Sequence, residues 1–336
     1  GKIRRMRWWS FGASVAGGLL ILGVGIMLWM KPEENGVWEG EKTVEPGIGQ
    51  VVLTLGDGES MPLKRDTNRL IFGGTMLQVR NERGTLVYSR IKSKEASEKI
   101  VYNTLTVPVR ERFQLVLADG TKVFLNSGSE MRYPERFGKA RREVFLKGEA
   151  WFEVAKDSAR EFWVHAGAMD VKVLGTSFNV KAYERLETVA TTLVEGSVEV
   201  ACAGKSFQIV PGEQFVYDKN NRVMDVRMVD TESYVSWKDG YYKFRQTTLE
   251  EIMETLSVWY GLNVFYVNES AKQVEFTGKV KRYEDARMLL DKFEQTGDVV
   301  FDIKGNNVFI TIKQKKPFAR EWNSFLVKAR GMVWQS

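Results

Sequence analysis

Glu149 and Glu153 are the two carboxylates whose spacing invites a chemical reading. Four residues apart in a strand, they fall on one face, the placement that a general acid and its base would need. No oxyanion donor and no second polar cluster accompanies them in the sequence, so a reaction has nothing further to stand on. We expect a protein that is not an enzyme, with no catalytic, cofactor-binding or metal-binding residues. Cys202 is the single cysteine and His165 the single histidine. A thiolate nucleophile needs a base and a zinc site needs several such ligands, so both read as ordinary: a buried core thiol and a strand histidine. One cysteine also means no disulfide within the chain.

The elements that must position these residues are short strands. Between residues 110 and 230 they follow one another as Gln114 to Leu117, Lys122 to Leu125, Glu143 to Leu146, Ala150 to Val154, Phe162 to His165, Asp170 to Val173, Ser177 to Ala182, Thr188 to Val194, Ser197 to Ala201, Ser206 to Val210 and Gln214 to Tyr217. Glycines at 148, 167, 175, 196, 204 and 212 separate many of them. So regular a set predicts an all-β sandwich, barrel or solenoid. One unit recurs: Leu53-Thr-Leu-Gly-Asp57-Gly58 then Leu63, and Leu115-Val-Leu-Ala-Asp119-Gly120 then Leu125. Each reads as a strand, a tight turn needing positive φ, and a second strand.

After Trp237-Lys-Asp-Gly240 the pattern changes. Tyr241 to Phe244 reads as a strand, and Thr248 with Glu251 forms a capping box. Leu249, Ile252, Met253, Leu256 and Trp259 then follow at helical spacing up to Gly261. Strands at Leu262 to Val267 and Val274 to Gly278, a helix carrying Ala286, Leu289, Leu290 and Phe293, and a hairpin of Val299 to Ile303 and Val308 to Ile312 complete the order β-α-β-β-α-β-β. This is a small α+β domain.

Ahead of both lies Trp8 to Met30, 23 residues without a charge. At about 1.5 Å of rise per residue they can cross a hydrocarbon core of about 30 Å, which predicts a transmembrane helix. Lys2, Arg4, Arg5 and Arg7 on its N-terminal side orient that end to the cytoplasm and the rest of the chain outside it. A cleaved signal peptide fits less well, because the apolar run is long and Met30-Lys31-Pro32-Glu33 offers no small-x-small cleavage site. The expected organisation is a cytoplasmic stub (1–7), a membrane helix (8–30), a periplasmic linker (31–49), an all-β domain (50–232), an α+β domain (237–313) and a basic tail (314–336). The net charge of +6 is misleading, since residues 1–7 carry +4 and residues 311–336 carry +5, leaving −3 for the body. A slightly acidic body is poor material for a phosphate-binding surface, so no nucleic-acid partner is expected.

Several motifs in series resemble those of the FecR family of membrane-anchored sigma-factor regulators, often called anti-sigma factors. They are Val116-Leu-Ala-Asp-Gly-Thr-Lys-Val-Phe-Leu-Asn126, Met131-Arg-Tyr-Pro134, Gly148-Glu-Ala-Trp-Phe-Glu-Val-Ala-Lys156, Val171-Lys-Val-Leu-Gly-Thr-Ser-Phe-Asn-Val180, Thr192-Leu-Val-Glu-Gly-Ser-Val198 and Pro211-Gly-Glu-Gln214. From Trp237 to Gly278 the chain is similar to the domain that follows the FecR core in Bacteroidetes members, itself like the short N-terminal signalling domain of secretins and TonB-dependent transducers. The resemblance implies a relay. A TonB-dependent outer-membrane receptor, sensing iron or a glycan, touches the periplasmic region through its signalling domain, and an extracytoplasmic-function sigma factor is controlled at the inner membrane. Family members hold the sigma factor with a helical cytoplasmic segment, and only seven residues precede the apolar run here, so that segment is expected to be absent or truncated in this chain.

The motifs themselves read as architectural. In Val173 to Val180, Gly175 permits a bulge or a close backbone approach, and Thr176 or Asn179 can satisfy turn backbone groups. Partner binding is expected at an exposed strand edge of the α+β domain by addition of a strand, with Tyr241, Phe244, Val308, Ile310 and Ile312 as the contact residues. The competing reading is a membrane-tethered periplasmic protein that binds or processes carbohydrate, motivated by 12% aromatic residues and many turns.

Overall fold

The computed structural model describes residues 49–313 except 65–68, 74–76, 83, 91–99, 283–284 and 297. The apolar run at 8–30, its flanks and the basic tail lie outside the described residues. Among the described residues no helix is long and apolar enough to cross a membrane.

Strands β1–β18 form two sheets over one core. Sheet I runs β2 (Ser60–Leu63), β1 (Val51–Thr54), β6 (Tyr102–Thr106), β9 (Glu130–Pro134), β10 (Arg142–Glu153), β11 (Phe162–Ala166), β12 (Met169–Val173), β15 (Val198–Cys202) and β16 (Lys205–Ile209). Sheet II runs β3 (Arg69–Gly73), β4 (Leu77–Glu82), β5 (Thr85–Arg90), β7 (Phe113–Val116), β8 (Lys122–Leu125), β10 again, β13 (Ser177–Ala182), β14 (Thr188–Glu195), β17 (Glu213–Asp218) and β18 (Val223–Met228). Leu53, Leu105 and Val171 from the first sheet meet Leu115, Val123 and Phe178 from the second, all fully buried. Of the architectures left open by periodicity, the chain has taken the sandwich.

The sheets are joined covalently at β10. Sequence reading splits this segment into two strands at Gly148. The structure instead shows one strand of 12 residues that changes sheet there. Residues 142–147 pair with β9 and β11, and residues 148–153 with β8 and β13. Gly148 makes the corner with φ +110°, and a Cβ at this position would sit 2.7 Å from the Ser129 Cα. Only glycine combines that φ with that approach.

The repeated Leu-x-Leu-x-Asp-Gly unit forms two hairpins of the same register. Thr54 pairs with Ser60 in one and Val116 with Lys122 in the other. In both, the aspartate accepts from the backbone N–H two residues on, Asp57 from Glu59 and Asp119 from Thr121, each at 3.0 Å. The second copy carries an addition: Arg142, fully buried, donates to Asp119 Oδ2 at 2.9 Å and to the carbonyls of Ala155 and Arg160. That guanidinium ties the β7–β8 turn to the loop between β10 and β11 at one end of the sandwich.

The α+β domain has the expected order. A short helix α1 (Thr231–Val235) and a 3-10 turn lead into β19 (Tyr241–Thr248), α2 (Leu249–Tyr260), β20 (Asn263–Tyr266), β21 (Glu275–Lys281), α3 (Ala286–Thr296), β22 (Val299–Lys304) and β23 (Asn307–Ile312). Thr248 caps α2 by accepting from the Glu251 N–H, and Gly261 ends it at φ +68°. The strands form a pair, β19–β21, and a three-stranded sheet, β20–β23–β22. β23 is therefore central, bonded on both sides, and Val308 and Ile310 are fully buried. The expectation of a free edge at Val308 to Ile312 is corrected: the hairpin return strand is flanked by β20, which joins it in parallel from earlier in the chain. Strand β18, absent from the sequence reading, is an outer strand whose Val223 and Met228 stay exposed, so burial left little pattern in it.

Candidate functional site

The two domains meet on the outer face of sheet II. The inner positions of its strands are apolar, and the alternate positions are polar: Asn126 just after β8, Glu149 on β10, Asn179 on β13, Thr192 on β14 and Gln214 on β17. A strand so patterned normally turns its polar face to water. Here those five side chains are at most 7% exposed, because α1, β19 and α2 lie over them. Buried polar groups must be paired, and each of these five side chains has at least one hydrogen bond, although Asn126 Oδ1 has no partner among the described residues.

Glu149 is the centre. Its Oε1 accepts from Asn179 Nδ2 at 2.9 Å and its Oε2 from Asn126 Nδ2 at 2.8 Å. Its backbone N–H donates to Ser129 Oγ at 2.9 Å. Asn179 passes the connection to the other domain, its Oδ1 accepting from Trp237 Nε1 at 3.2 Å. Gln214 Nε2 donates to Thr192 Oγ1 at 2.9 Å. Burial pushes the Glu149 carboxyl above its ordinary value, and the Lys181 charge with the two amides draws it partly back.

Other contacts cross the same seam. Ser127 Oγ donates to the Val258 carbonyl at 3.0 Å, at the end of α2. The Arg112 guanidinium donates to the Lys238 carbonyl. Lys181 and Glu254 lie 3.5 Å apart. Trp151, on the outer face of β10, belongs to the apolar core of the α+β domain together with Trp237, Leu256 and Trp259. The seam is thus hydrophobic at one part and a closed amide–carboxylate network at another. Beside the network is a cleft of about 180 Å³.

The residues singled out from sequence are dispersed. Glu153 shares the face of Glu149 but accepts from Trp151 Nε1 at 3.2 Å and meets Lys122 at 3.5 Å. The expectation that no second polar cluster accompanies the carboxylates is corrected, since residues far apart in sequence bring one to Glu149. Asn179, read as satisfying a turn, serves the buried carboxylate instead, while Thr176 Oγ1 does donate to the Ser197 carbonyl at 3.0 Å. Gly175 is a close approach, where a Cβ would lie 2.8 Å from the Lys156 Cα. Cys202 is 2% exposed in the sandwich core. His165 Nδ1 meets Asp170 Oδ1 at 2.7 Å, and the ring stacks on Phe145 at 4.9 Å. Of the expected partner-binding residues, Tyr241 donates to Glu232 Oε1 at 2.9 Å, Phe244 is buried, and the Ile312 N–H donates to Asn268 Oδ1 at 3.1 Å. The seam itself escaped sequence reading. Its one signal was polar residues at every second position of strands that are otherwise core.

An all-β sandwich bearing an α+β domain on its outer face, joined through buried side chains of both, defines a two-domain architecture. Residues 103–199 match the family model described as FecR protein, and residues 241–310 the one described as FecR, C-terminal. The chain carries the two matches in series, the FecR domain followed by the FecR C-terminal domain. No curated protein matches it. Two crystal structures of a protein from Parabacteroides distasonis ATCC 8503, described as a "putative anti-sigma factor", are similar: each is 27% identical over 63% of this chain. The matches cover 99% and 100% of those chains, with TM-scores of 0.58 and 0.57.

Proposed function

We propose that this chain is a membrane-anchored regulator of an extracytoplasmic-function sigma factor, relaying a periplasmic signal from a TonB-dependent outer-membrane receptor. The observation that carries this reading is the pairing of the FecR and FecR C-terminal domains across one shared seam, in a fold similar to structures described as anti-sigma factors. The uncharged run at 8–30 with basic residues before it supports an inner-membrane anchor with the N-terminus in the cytoplasm. Chemistry is not the reading the site supports, since each carboxylate oxygen of Glu149 already accepts an amide of the protein itself.

The receptor's signalling domain would meet the α+β domain at an outer strand. Strand β22 is partly closed, its Phe301 N–H donating to Glu294 Oε1. Along β19, Tyr241 and Lys243 reach Glu232 on α1. Among the described residues strand β20 bonds only β23, and Phe265 and Val267, in and just after it, are 47% and 61% exposed. It is the strand best placed to accept an extended segment.

The test begins with the genes beside the coding sequence, where a sigma-factor gene and a TonB-dependent receptor gene are expected. The full chain in detergent should then bind that receptor's periplasmic extension with a Kd of about 1–100 μM. Absence of binding at about 500 μM would end the relay reading. Val267→Asp, at the more exposed of the two positions, should weaken binding about tenfold or more with little change in melting temperature.

A further inference from the structure

Strand β18 ends sheet II. It pairs with β17 along one side, and among the described residues no strand pairs with its other side. A row of open N–H and C=O groups is a template for a further strand, and folded proteins normally blunt it. The other outer strands of the sandwich are less suited to accept one. Strand β2 carries Pro62, β3 is interrupted by a bulge between Leu70 and Phe72, and β16 brings Lys205 with no carboxylate among its residues. Strand β18, Val223-Met-Asp-Val-Arg-Met228, keeps one unbroken register over six residues and contains neither proline nor glycine.

This strand is complementary to itself. Antiparallel pairing with β18 of a second copy, centred on Val226, sets Asp225 of each copy opposite Arg227 of the other. Both charges are exposed, at alternate positions on the outer face of sheet II. Arg227 already lies 3.6 Å from Glu251 of its own chain, yet its side chain is 47% exposed, and a guanidinium has donors for a second carboxylate. On the opposite face Met224 meets Met228 and Val226 meets Val226. Met224 and Val226 cover the sandwich core only in part, and Met228 is 71% exposed, so the pairing gathers them into one apolar row. A slip of two residues would oppose Asp225 to Asp225 or Arg227 to Arg227, and a slip of one would turn the core face of one copy toward the outer face of the other. Like-with-like antiparallel pairing is what a twofold axis generates, and it closes. We propose that β18 is a homodimer interface through which two copies of this chain join their sheets II into one continuous sheet.

In the full-length chain in detergent, Val226→Cys places one thiol of each copy beside the axis, with Cα atoms about 5 Å apart, within the span of a disulfide. Mild oxidation should give a covalent dimer in at least about fivefold excess over Asn220→Cys, whose exposed position lies in the turn before the strand. Cys202, 2% exposed in the core, is common to both. In the Val226→Cys background, Asp225→Lys opposes two cations at each pair and should lower the yield at least about fivefold, whereas Asp225→Glu should leave it unchanged. Where Val226→Cys does not fold, chains carrying Asp225→Cys mixed with chains carrying Arg227→Cys should crosslink to each other ahead of either to itself. Equal yields from positions 226 and 220, a yield indifferent to Asp225→Lys, or no preference in the mixture would each overturn the interface. A failed receptor titration has no bearing on this contact, which uses a different strand and a different partner.

Discussion

Glu149 holds an acid group where water cannot reach it, and its proton equilibrium is coupled to folding. The native carboxyl is raised by burial, so above the ordinary glutamate value of 4.5 the native state binds more protons than the unfolded one. Stability contributed by this group is then present at low pH and declines as pH rises, until the native carboxyl has itself ionised. Replacing it with glutamine removes the dependence. The unfolding free energy of the wild type relative to Glu149→Gln should decline as the pH rises through and above the ordinary glutamate value of 4.5, as measured by urea titration at each pH. A difference that stays level would show that the native carboxyl ionises as freely as in the unfolded chain. Arg142 is the converse case, a buried cation with its counter-ion at 2.9 Å. Arg142→Met strands the Asp119 carboxylate, whose side chain is 7% exposed, and should cost about 3–5 kcal/mol in the same measurement.

At the scale of an element, β10 is the strand on which the sandwich depends. It gives Val144 and Leu146 to the core from sheet I and Ala150 and Phe152 from sheet II, and it turns Glu149 and Trp151 outward to the other domain. The corner at Gly148 makes this division possible. Gly148→Ala would force a side chain into φ +110° and against the Ser129 backbone. The φ strain alone is worth about 1–3 kcal/mol, and the clash adds to it. The expected result is a lowered denaturation midpoint together with disturbed amide resonances at Ser129 and Glu149. A change confined to the hairpin turns would contradict the corner assignment.

For the whole molecule, the seam decides whether two domains behave as one. Trp237 is 4% exposed and serves both halves, packing in the α+β core and donating to Asn179 of the sandwich. Trp237→Ala should cost about 3–5 kcal/mol. Because the loss falls at the boundary, calorimetry should show one cooperative transition in the wild type and two in the variant. Two transitions already in the wild type would show that the seam does not couple the domains.

The periodicity of the sequence was sufficient for most of the strands between residues 110 and 217, for the two Asp-Gly hairpins and for the β-α-β-β-α-β-β order, because each is a local matter of side-chain alternation and turn chemistry. It gave no purchase on Gly148, since a glycine between two apolar runs looks the same whether the chain stops or bends. It likewise placed Val308 to Ile312 at an edge, because the parallel partner β20 comes from about 40 residues earlier and leaves no local mark. The site was the least legible part. Alternating Glu149, Trp151 and Glu153 determines that one face of β10 is polar, and nothing in those residues says what covers it. Only when residues 231–260 fold back over sheet II does that polar face become a buried network, because burial is a property of what lies opposite and not of the strand itself.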